Sequence, residues 1–455
     1  MKKIISTTLA TVCMVCTAHA EGYQVNNLSA RQQGMGSAGV AMSLGAESQL
    51  FNPGALALSD KTFEISGAIT AIASRVSATH EGMKYTTDND ISTPLCIASS
   101  FKVYDRLQAG LILYTPYGSG INWGTHWPGA VLNQHVSIKC FALQPTFSFR
   151  IAHGLAVGAG VTVNWGNVDL DKGLVTGEDM NRIMGAMGMP AESMYAPGTT
   201  PASVNLKGDS RIAVGFNVGA IWQIDKRWSV GASFRSHFKY TVEKGNAHVS
   251  YTGAAEKLLT PVLDNLNSTN FRASLPAPYV FTAGVAYKPI PELTLAFDAQ
   301  LNGWKTYRHL DIEFNKLDAF NQHLVKNYKN AMTYHLGAQW QTTKRLQLRC
   351  GLMVDTNPCD SYNYNPETPG QTRINPSVGL SFNPLRQLAI DFAFTYVHGC
   401  GTDNATGHYD NLGYKIAYQV NPQLPAALGI SPTGSFTADY RVHAFLPTLG
   451  VRYSF

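Results

Sequence analysis

The chain has 455 residues and a formal net charge of +5 at pH 7, and 14% of its residues are charged. This charged fraction is low against about 25% in soluble domains, and the basic residues are too scattered to predict a nucleic-acid partner. After residue 20 no stretch is apolar over the roughly 18 positions that a membrane helix needs. The composition therefore argues against a soluble enzyme, a nucleic-acid-binding protein and a helical membrane protein.

Residues 1–20 have the features of a secretory signal peptide. Lys2 and Lys3 supply positive charge, residues 4–16 form a short apolar stretch, and Ala18-His19-Ala20 is a small-x-small cleavage site. The mature chain is expected to begin at Glu21. Cleavage removes two lysines and no acidic residue, so the formal net charge falls from +5 to +3.

Residues 21–60 are rich in Gly and Ala and lack the periodicity of strands. Residues 34–39 match the G-x-G-x-x-G pattern, but a dinucleotide site also needs a preceding strand in a βαβ unit and an acidic residue about twenty positions later. No strand pattern precedes this match and no helical pattern follows it, so we predict no cofactor. We interpret residues 21–60 as an N-terminal hatch, a plug packed inside a barrel.

Residues 61–455 are dominated by alternation of apolar and polar residues, which indicates strands with two different faces. Between Ile212 and Ile224, for example, the even positions are apolar and small or polar residues fill most odd ones. Six short connections alternate with seven long ones, the pattern of periplasmic turns and extracellular loops. The prediction is an all-β fold, a transmembrane antiparallel β-barrel of about fourteen strands. The short connections are 104–106, 152–154, 225–227, 289–291, 342–345 and 384–386.

In a membrane barrel the apolar face contacts lipid and the polar face lines the lumen. This rule places a group of titratable side chains in the lumen, where we expect a structural network. One strand departs from the rule, because its apolar residues lie at even positions over 136–142 and at odd positions over 143–151. Such a one-residue slip predicts a β-bulge. The predicted lumen residues are Arg235, His237, Lys239, Asp298, Arg349 and Asp391.

The last strand alternates apolar and polar residues and closes on Phe455. A terminal aromatic residue at the end of such a strand resembles the signal that the bacterial barrel-assembly machinery recognises. We therefore predict that Phe455 is an assembly signal and that this machinery is a partner of the chain.

Two long loops contain apolar residues at helical spacing, over 180–187 and over 255–266, and each is expected to hold an amphipathic helix. Apolar surface outside a membrane needs an explanation, and Met side chains adapt to varied apolar ligands. We interpret the two helices as a capture surface for hydrophobic molecules, and packing of the helices on each other as a cap is the simpler alternative. The candidate contact residues are Met180, Ile183, Met184, Met187, Leu258, Leu259, Val262 and Leu263.

Motifs spread over most of the mature chain resemble the FadL family of outer-membrane transporters. They include Gly34-Met35-Gly36 and Phe51-Asn52-Pro53 near the N-terminus, then Phe234-Arg235-Ser236, Leu275-Pro276 and Tyr396-Val397-His398-Gly399. The resemblance implies a fourteen-stranded barrel with a hatch. The family's Asn-Pro-Ala motif reads Asn52-Pro53-Gly54 here, and several loops differ in length.

The resemblance also implies passive uptake of long-chain fatty acids. Ligand would be captured at the loop helices, pass to an interior pocket, and leave sideways through the barrel wall after the hatch rearranges. Basic residues would meet the carboxylate, and Lys172 and Lys326 are nearest by position. A buried carboxylate needs such a partner, because an unpaired buried charge costs several kcal/mol.

Three alternatives stay open. Uptake of aromatic or alkane hydrocarbons would not need the lysines. A general porin for hydrophilic solutes would lack the hatch and the apolar loop helices. A hydrolase with Ser and His in the barrel wall is more distant, because the chain has no H-E-x-x-H or G-x-S-x-G motif, and we predict no catalytic and no metal site. The uptake and porin functions share a location, the Gram-negative outer membrane, and its lipid as a partner.

Overall fold

The computed structural model describes residues 22–455, so the predicted signal peptide lies outside the described residues. The strands form one 23-stranded antiparallel sheet. The sheet closes on itself because β1 (Phe63–Thr70) pairs with β23 (Thr433–Ser454), from Glu64↔Ser454 to Thr70↔Thr448. Closure joins the first and last strands, so the wall has no terminal edge. Many strands are consecutive pieces of one pass across the barrel, and the predicted barrel of fourteen passes is confirmed.

The first half of the barrel consists of β1 and of β2 (Ala73–His80), β3 (Met83–Thr86), β4 (Leu95–Tyr104), β5 (Leu107–Tyr114), β6 (Gly118–Asn122), β7 (His135–Ala152), β8 (Leu155–Val175), β9 (Ala202–Asp209), β10 (Ala213–Gln223), β11 (Trp228–Arg235) and β12 (Phe238–Tyr251). The second half, before β23, consists of β13 (Asn270–Ala277), β14 (Val280–Ile290), β15 (Leu293–Asn302), β16 (His309–Phe314), β17 (Gln322–Val325), β18 (Ala331–Gln341), β19 (Leu346–Asp355), β20 (Arg373–Phe382), β21 (Leu388–Gly399) and β22 (Thr402–Asp410).

Helices are short and form no part of the barrel wall. They are α1 (Ala30–Gln33), α2 (Ser48–Phe51), α3 (Gly177–Ala186), α4 (Glu256–Leu263), α5 (Leu412–Val420) and α6 (Leu424–Leu428). None of the helices in residues 22–455 is long and apolar enough to cross a membrane.

All six predicted short connections are tight turns between sequential strands, such as 105–106 between β4 and β5 and 153–154 between β7 and β8. Phe455 lies at the same end of the barrel, where its carbonyl oxygen accepts hydrogen bonds from the backbone N–H groups of Thr62 (2.9 Å) and Phe63 (3.0 Å). One end of the barrel therefore carries the turns and the C-terminus, and the other carries the long loops. The role of Phe455 in assembly stays a prediction.

The outer face of the barrel is apolar at alternate positions, as lipid contact requires. On β23, Leu449 and Val451 are 53% and 47% exposed, whereas Thr448, on the inner face, is 1% exposed. The same alternation exposes Ile65, Ile69, Phe101, Leu111, Phe147, Val161, Phe216, Phe281, Phe297, Leu336, Val378 and Phe392.

The predicted β-bulge is wrong. β7 pairs with β8 in one register from His135↔Asp171 to Arg150↔Ala156, without a shift at residues 142–143. The odd positions of β7 face outward along the strand, and the even positions face inward. The apolar residues over 136–142 therefore lie inside the barrel.

The predicted lumen network is correct for four residues and wrong for two. Arg235, Asp298, Arg349 and Asp391 lie on the inner face. His237 and Lys239 are exposed on the outer face, because β11 ends at residue 235 and β12 starts at residue 238 with the opposite phase.

Residues 22–60 contact the inner wall through backbone groups as well as side chains. Asp298 Oδ2 accepts hydrogen bonds from the backbone N–H groups of Gly39 (2.7 Å) and Val40 (2.9 Å). Arg235 Nη2 donates to the carbonyl oxygen of Leu50 (2.7 Å). Asn52 Nδ2 donates both to Val40 and, at 2.9 Å, to the carbonyl oxygen of Ala220 in the wall.

Glycines allow the wall and this segment to meet backbone to backbone. Gly36 adopts a positive φ of 63°, which disfavours other residue types. A Cβ atom added to Gly351 on β19 would lie 1.9 Å from the backbone nitrogen of Gly36. Any side chain at Gly351 therefore has to displace the N-terminal segment.

The orientation of the barrel is testable with epitope tags. Tags inserted near Gly188 and Asn265, in long loops, should bind antibody on intact cells. A tag at Lys226, in a short turn, should bind only after the outer membrane is permeabilised, because short turns face the periplasm. Flow cytometry of intact and permeabilised cells measures both, and surface labelling at Lys226 alone would reverse the orientation.

Candidate functional site

An apolar cavity lies in the half of the barrel nearer the long loops. It holds about 810 Å³ of space that no protein atom fills, part of it open to solvent. Inward side chains of β7, β8, β9, β12, β13 and β16 line it. On β7 these are Val136, Ile138 and Cys140, the residues whose phase suggested a bulge. The slip in the apolar pattern thus marks a cavity wall.

Interruptions in the strands bring apolar side chains to the inner face at this level. On β11 the even-numbered Val230 faces outward and is 36% exposed, but on β12 the even-numbered Val242 faces inward and is 6% exposed. The gap at residues 236–237 causes this change of phase. A second gap, at residues 210–212, lies between β9 and β10 and has the same effect, because Leu206 lines the cavity and is buried.

The two lysines predicted to meet a carboxylate are both buried beside this cavity. Leu170 lines the cavity from β8, and Lys172, the next inward position, is 8% exposed. The Lys172 Nζ donates to Gln322 Oε1 at 3.2 Å. Lys326, which is fully buried, donates to Glu367 Oε1 at 2.5 Å, and Glu367 itself lines the cavity.

The charges of these three groups act on one another. The apolar part of the outer face of β8 ends at Trp165, and Asp169 and Asp171 follow it on that face, so Lys172 lies beyond the membrane-spanning part of the strand. Burial lowers the pKa of Lys172 to about 8; the carboxylates of Glu367 and of the exposed Asp410 oppose this shift, and the charge of Lys326 adds to it. The structure therefore brings two buried cations together with one buried carboxylate, that of Glu367.

Aromatic rings also line the cavity, and they lie beside the Lys326–Glu367 pair, because Lys326 Nζ is 6.0 Å from the centroid of the Tyr307 ring. Tyr23 contacts Trp304 edge to face with ring centroids 4.9 Å apart, and Tyr307 at 6.3 Å. The hydroxyl of Tyr23 donates to the carbonyl oxygen of Pro276. The rings thus connect the charged pair to the N-terminal segment.

A second cavity, of about 2010 Å³, reaches from the lumen to the outer side of the wall. Its lining includes inward residues such as Asp355 and Asn375, and also Lys139 and Phe141 on the outer face of β7. β6 pairs with β7 but with no other strand, and its other side meets residues 88–94 through few hydrogen bonds, such as Asp88 N–H to Asn122 O at 2.9 Å. Tyr23 covers part of this opening, because its backbone carbonyl oxygen accepts a hydrogen bond from the Gly118 N–H.

The structure brings the predicted capture residues of both loops into one cluster beneath the loops. Met180, Ile183, Met184, Leu259 and Leu263 are fully buried there, so they pack on each other as a cap. Leu258 and Val262 are partly buried at the edge of the cluster, and Met187 is 47% exposed. Apolar surface open to solvent is thus limited to the edge of the cap.

Sequence reasoning missed two elements near this site. α5 packs into the same cap through Leu412 and Ile416, and their spacing of four positions was a usable signal. The loop 356–372, between β19 and β20, folds inward and carries Glu367 to Lys326. A single Glu in a Pro-containing loop carries no pattern that predicts this position.

One group of side chains could ligate a cation. His135, Asp169 and Asp171 bring potential ligand atoms within 4.8 Å of one another. Both carboxylates accept hydrogen bonds from Asn205 Nδ2, and Asp169 also pairs with Lys207 at 3.1 Å. These contacts already satisfy the cluster.

The profile of one protein family, described as outer membrane protein transport protein (OMPP1/FadL/TodX), matches residues 11–455. The chain belongs to this family. It is an outer-membrane uptake channel for hydrophobic compounds, and the family is one of transport channels rather than enzymes.

Relatives and solved structures agree with this assignment. The long-chain fatty acid transport protein of Salmonella typhi is 19% identical, over 86% of this chain and 91% of that protein. A FadL homologue of Pseudomonas aeruginosa superposes with a TM-score of 0.75 at 16% identity, over 96% of this chain and 100% of that one. The toluene transporter TodX of Pseudomonas putida gives a TM-score of 0.67 at 12% identity, over 96% and 99%. At these identities the structures establish the fold alone.

A matched pair of substitutions tests the packing of the loop cap. Met184→Glu should loosen the loops, because it buries an unpaired charge at a cost of several kcal/mol, and cleavage of the loops by trypsin on intact cells should accelerate at least tenfold. Met187→Glu, at an exposed position of the same loop, should leave the rate unchanged. Equal rates for the two variants would mean that Met184 is not buried in the cap.

Proposed function

We propose that the chain mediates passive uptake of long-chain fatty acids across the outer membrane. The observation that carries this proposal is an apolar cavity beside two buried lysines and one buried carboxylate. An alkyl chain fits beside Leu170 and Ile138, and a carboxylate fits beside Lys172. A neutral solute would make no use of the charge of Lys172.

The charge balance favours one anionic head group. Lys326 is paired with Glu367, whereas the polar partner of Lys172 is the neutral amide of Gln322. A buried charge without a counter-ion is costly, and a carboxylate that arrives beside it removes that cost. A ligand carboxylate beside Lys172 would therefore supply that cation with a close counter-ion.

Capture would begin at the edge of the loop cap. Met187, Leu258 and Val262 offer apolar surface there, and Met side chains adapt to ligands of different shape. Buried residues of the cap would support this surface, or would contact the ligand once the helices separate. They are Met180, Ile183, Met184, Leu259 and Leu263.

Release would follow the opening in the wall. In this proposal residues 22–60, including Asn52, Pro53 and Gly54, act as the hatch, and their rearrangement moves Tyr23 away from the opening at β6. Ligand then leaves between β6 and residues 88–94 into the lipid of the outer membrane. This sideways exit keeps the alkyl chain away from water.

A second candidate function is uptake of aromatic hydrocarbons. The rings of Tyr23, Trp304 and Tyr307 favour it, since flat aromatic molecules pack well against edge-to-face rings. The toluene transporter TodX has the same fold. Toluene would bind without the lysines, so binding data on lysine variants distinguish the two candidates.

Replacing Lys172 with Met should lower the affinity for oleate about tenfold, or about 1.4 kcal/mol, because the carboxylate loses its cation. Affinity for oleyl alcohol should not change. For the unmodified protein, oleate affinity should fall as the pH rises through about 8, where Lys172 loses its proton. Titration calorimetry on purified protein in detergent measures the affinity for oleate, the affinity for oleyl alcohol and the pH dependence of oleate binding.

Lys239→Met is the matched control, because Lys239 is exposed on the outer face. Equal losses for oleate and oleyl alcohol in Lys172→Met would mean that Lys172 supports packing only. Tight binding of toluene with no binding of oleate would favour the hydrocarbon function.

Gly351→Val should displace the N-terminal segment, because a Cβ at this position lies 1.9 Å from the backbone of Gly36. Single-channel conductance in planar bilayers should rise, as it should after deletion of residues 23–56, since fourteen strands leave a lumen that side chains alone do not fill. Directed uptake of oleate should fall in both variants.

Gly67→Val is the control for this substitution, because a Cβ at Gly67 has open space around it. Unchanged conductance in both the Gly351→Val and the deletion variants would mean that residues 22–60 do not plug the barrel.

A further inference from the structure

A short segment of the loop 356–372 separates the apolar cavity from the opening in the wall. Tyr23, Ile138 and Thr368 line both cavities. Glu367 lines the apolar cavity, and Pro369 lines the opening. Residues 367–369 therefore stand between the place where a ligand is held and the route by which it leaves.

Two barrel passes on opposite sides hold this segment in position. On one side, Trp123 Nε1 donates to the carbonyl oxygen of Pro366 at 3.0 Å, and Ser119 Oγ donates to the carbonyl oxygen of Glu367 at 3.2 Å. On the other side, Lys326 Nζ donates to the Glu367 carboxylate at 2.5 Å. The ion pair is the charged contact of the segment, and it is the contact that a ligand can replace.

The carboxylate of Glu367 occupies the kind of position that a ligand head group needs. It lines the cavity beside the fully buried Lys326, and its charge also acts on Lys172. A fatty-acid carboxylate in the cavity meets the same two cations. The protein thus contains its own competitor for the head-group site.

We propose that Glu367 is a latch, which keeps residues 367–369 closed between the two cavities until a ligand carboxylate displaces it from Lys326. This inference rests on the proposed uptake of fatty acids. It makes Glu367 the residue through which the protein distinguishes an anionic ligand from a neutral one at the step of release.

The exchange is favourable only for an anionic ligand. Removing one partner of a buried ion pair leaves an uncompensated charge, which is strongly unfavourable. A ligand carboxylate that takes over Lys326 avoids this cost, and the freed Glu367 can move toward solvent with its loop. An alcohol or a hydrocarbon of the same length cannot replace the charge, so the segment stays closed.

The latch also lowers the apparent affinity for ligand. A tethered carboxylate competes at an effective concentration in the millimolar range, which dissolved fatty acid does not reach. Ligand therefore has to gain most of its binding free energy from contacts of the alkyl chain with the cavity. This requirement favours long chains over short carboxylates.

Glu367→Gln tests the latch, because it keeps the size of the side chain and removes its charge. We expect about tenfold tighter binding of oleate, since the competing carboxylate is gone, and no change for oleyl alcohol. Hydrogen exchange measured by mass spectrometry should show faster exchange in peptides that cover residues 364–372. In the unmodified protein, oleate should raise this exchange and oleyl alcohol should not.

Two further variants test whether the effects depend on the ion pair between Lys326 and Glu367. Glu243→Gln removes the carboxylate of the Arg211–Glu243 pair on the outside of the barrel and should change neither affinity nor exchange. The double variant Lys326→Met, Glu367→Leu removes both charges, which often preserves stability. It should bind oleate with less preference over oleyl alcohol, and oleate should no longer raise exchange. Heat-modifiable migration on gels verifies that each barrel is folded.

The outcomes separate the latch from the function on which it rests. If the unmodified protein does not bind oleate, the proposed uptake of fatty acids is wrong, and the latch falls with it. If oleate binds but Glu367→Gln leaves exchange and affinity unchanged, the latch alone is wrong. The latch is also wrong if oleyl alcohol raises exchange as much as oleate does.

Discussion

The width of the barrel is the constraint on which the rest of this structure depends. Side chains fill a barrel of about eight strands, and a wider barrel needs other material inside. Residues 22–60 contact the inner wall with backbone as much as with side chains, as in the contacts of Asp298 with two backbone N–H groups. The glycines Gly36 and Gly351 make the approach close enough. The two cavities described above lie where this segment leaves space beside the wall.

The barrel itself was predictable because lipid and lumen impose opposite demands on alternate residues. The alternation and the two classes of connection were sufficient for the fourteen passes and for all six tight turns. The alternation does not reveal which face points outward once the interior also becomes apolar. His237 and Lys239 were assigned to the wrong face for this reason, and the inward residues over 136–142 were attributed to a bulge.

The candidate site was only partly predictable. Lys172 and Lys326 were proposed from a resemblance to a family, and the structure places both beside an apolar cavity that the sequence analysis did not predict. Glu367 was missed because its position depends on how a long loop folds back into the barrel. α5 was missed although Leu412 and Ile416 have helical spacing.

The change of face between β11 and β12 has a consequence for where a ligand is dissolved. At this level the outer surface carries His237 and Lys239, so it stands among polar head groups rather than in hydrocarbon, while Tyr240 and Val242 line an apolar interior. The protein therefore continues the apolar environment of the membrane interior outward, past the level of the polar head groups. A molecule that enters the cavity has already left water before it reaches the membrane, so the polar head groups are no longer a barrier to it.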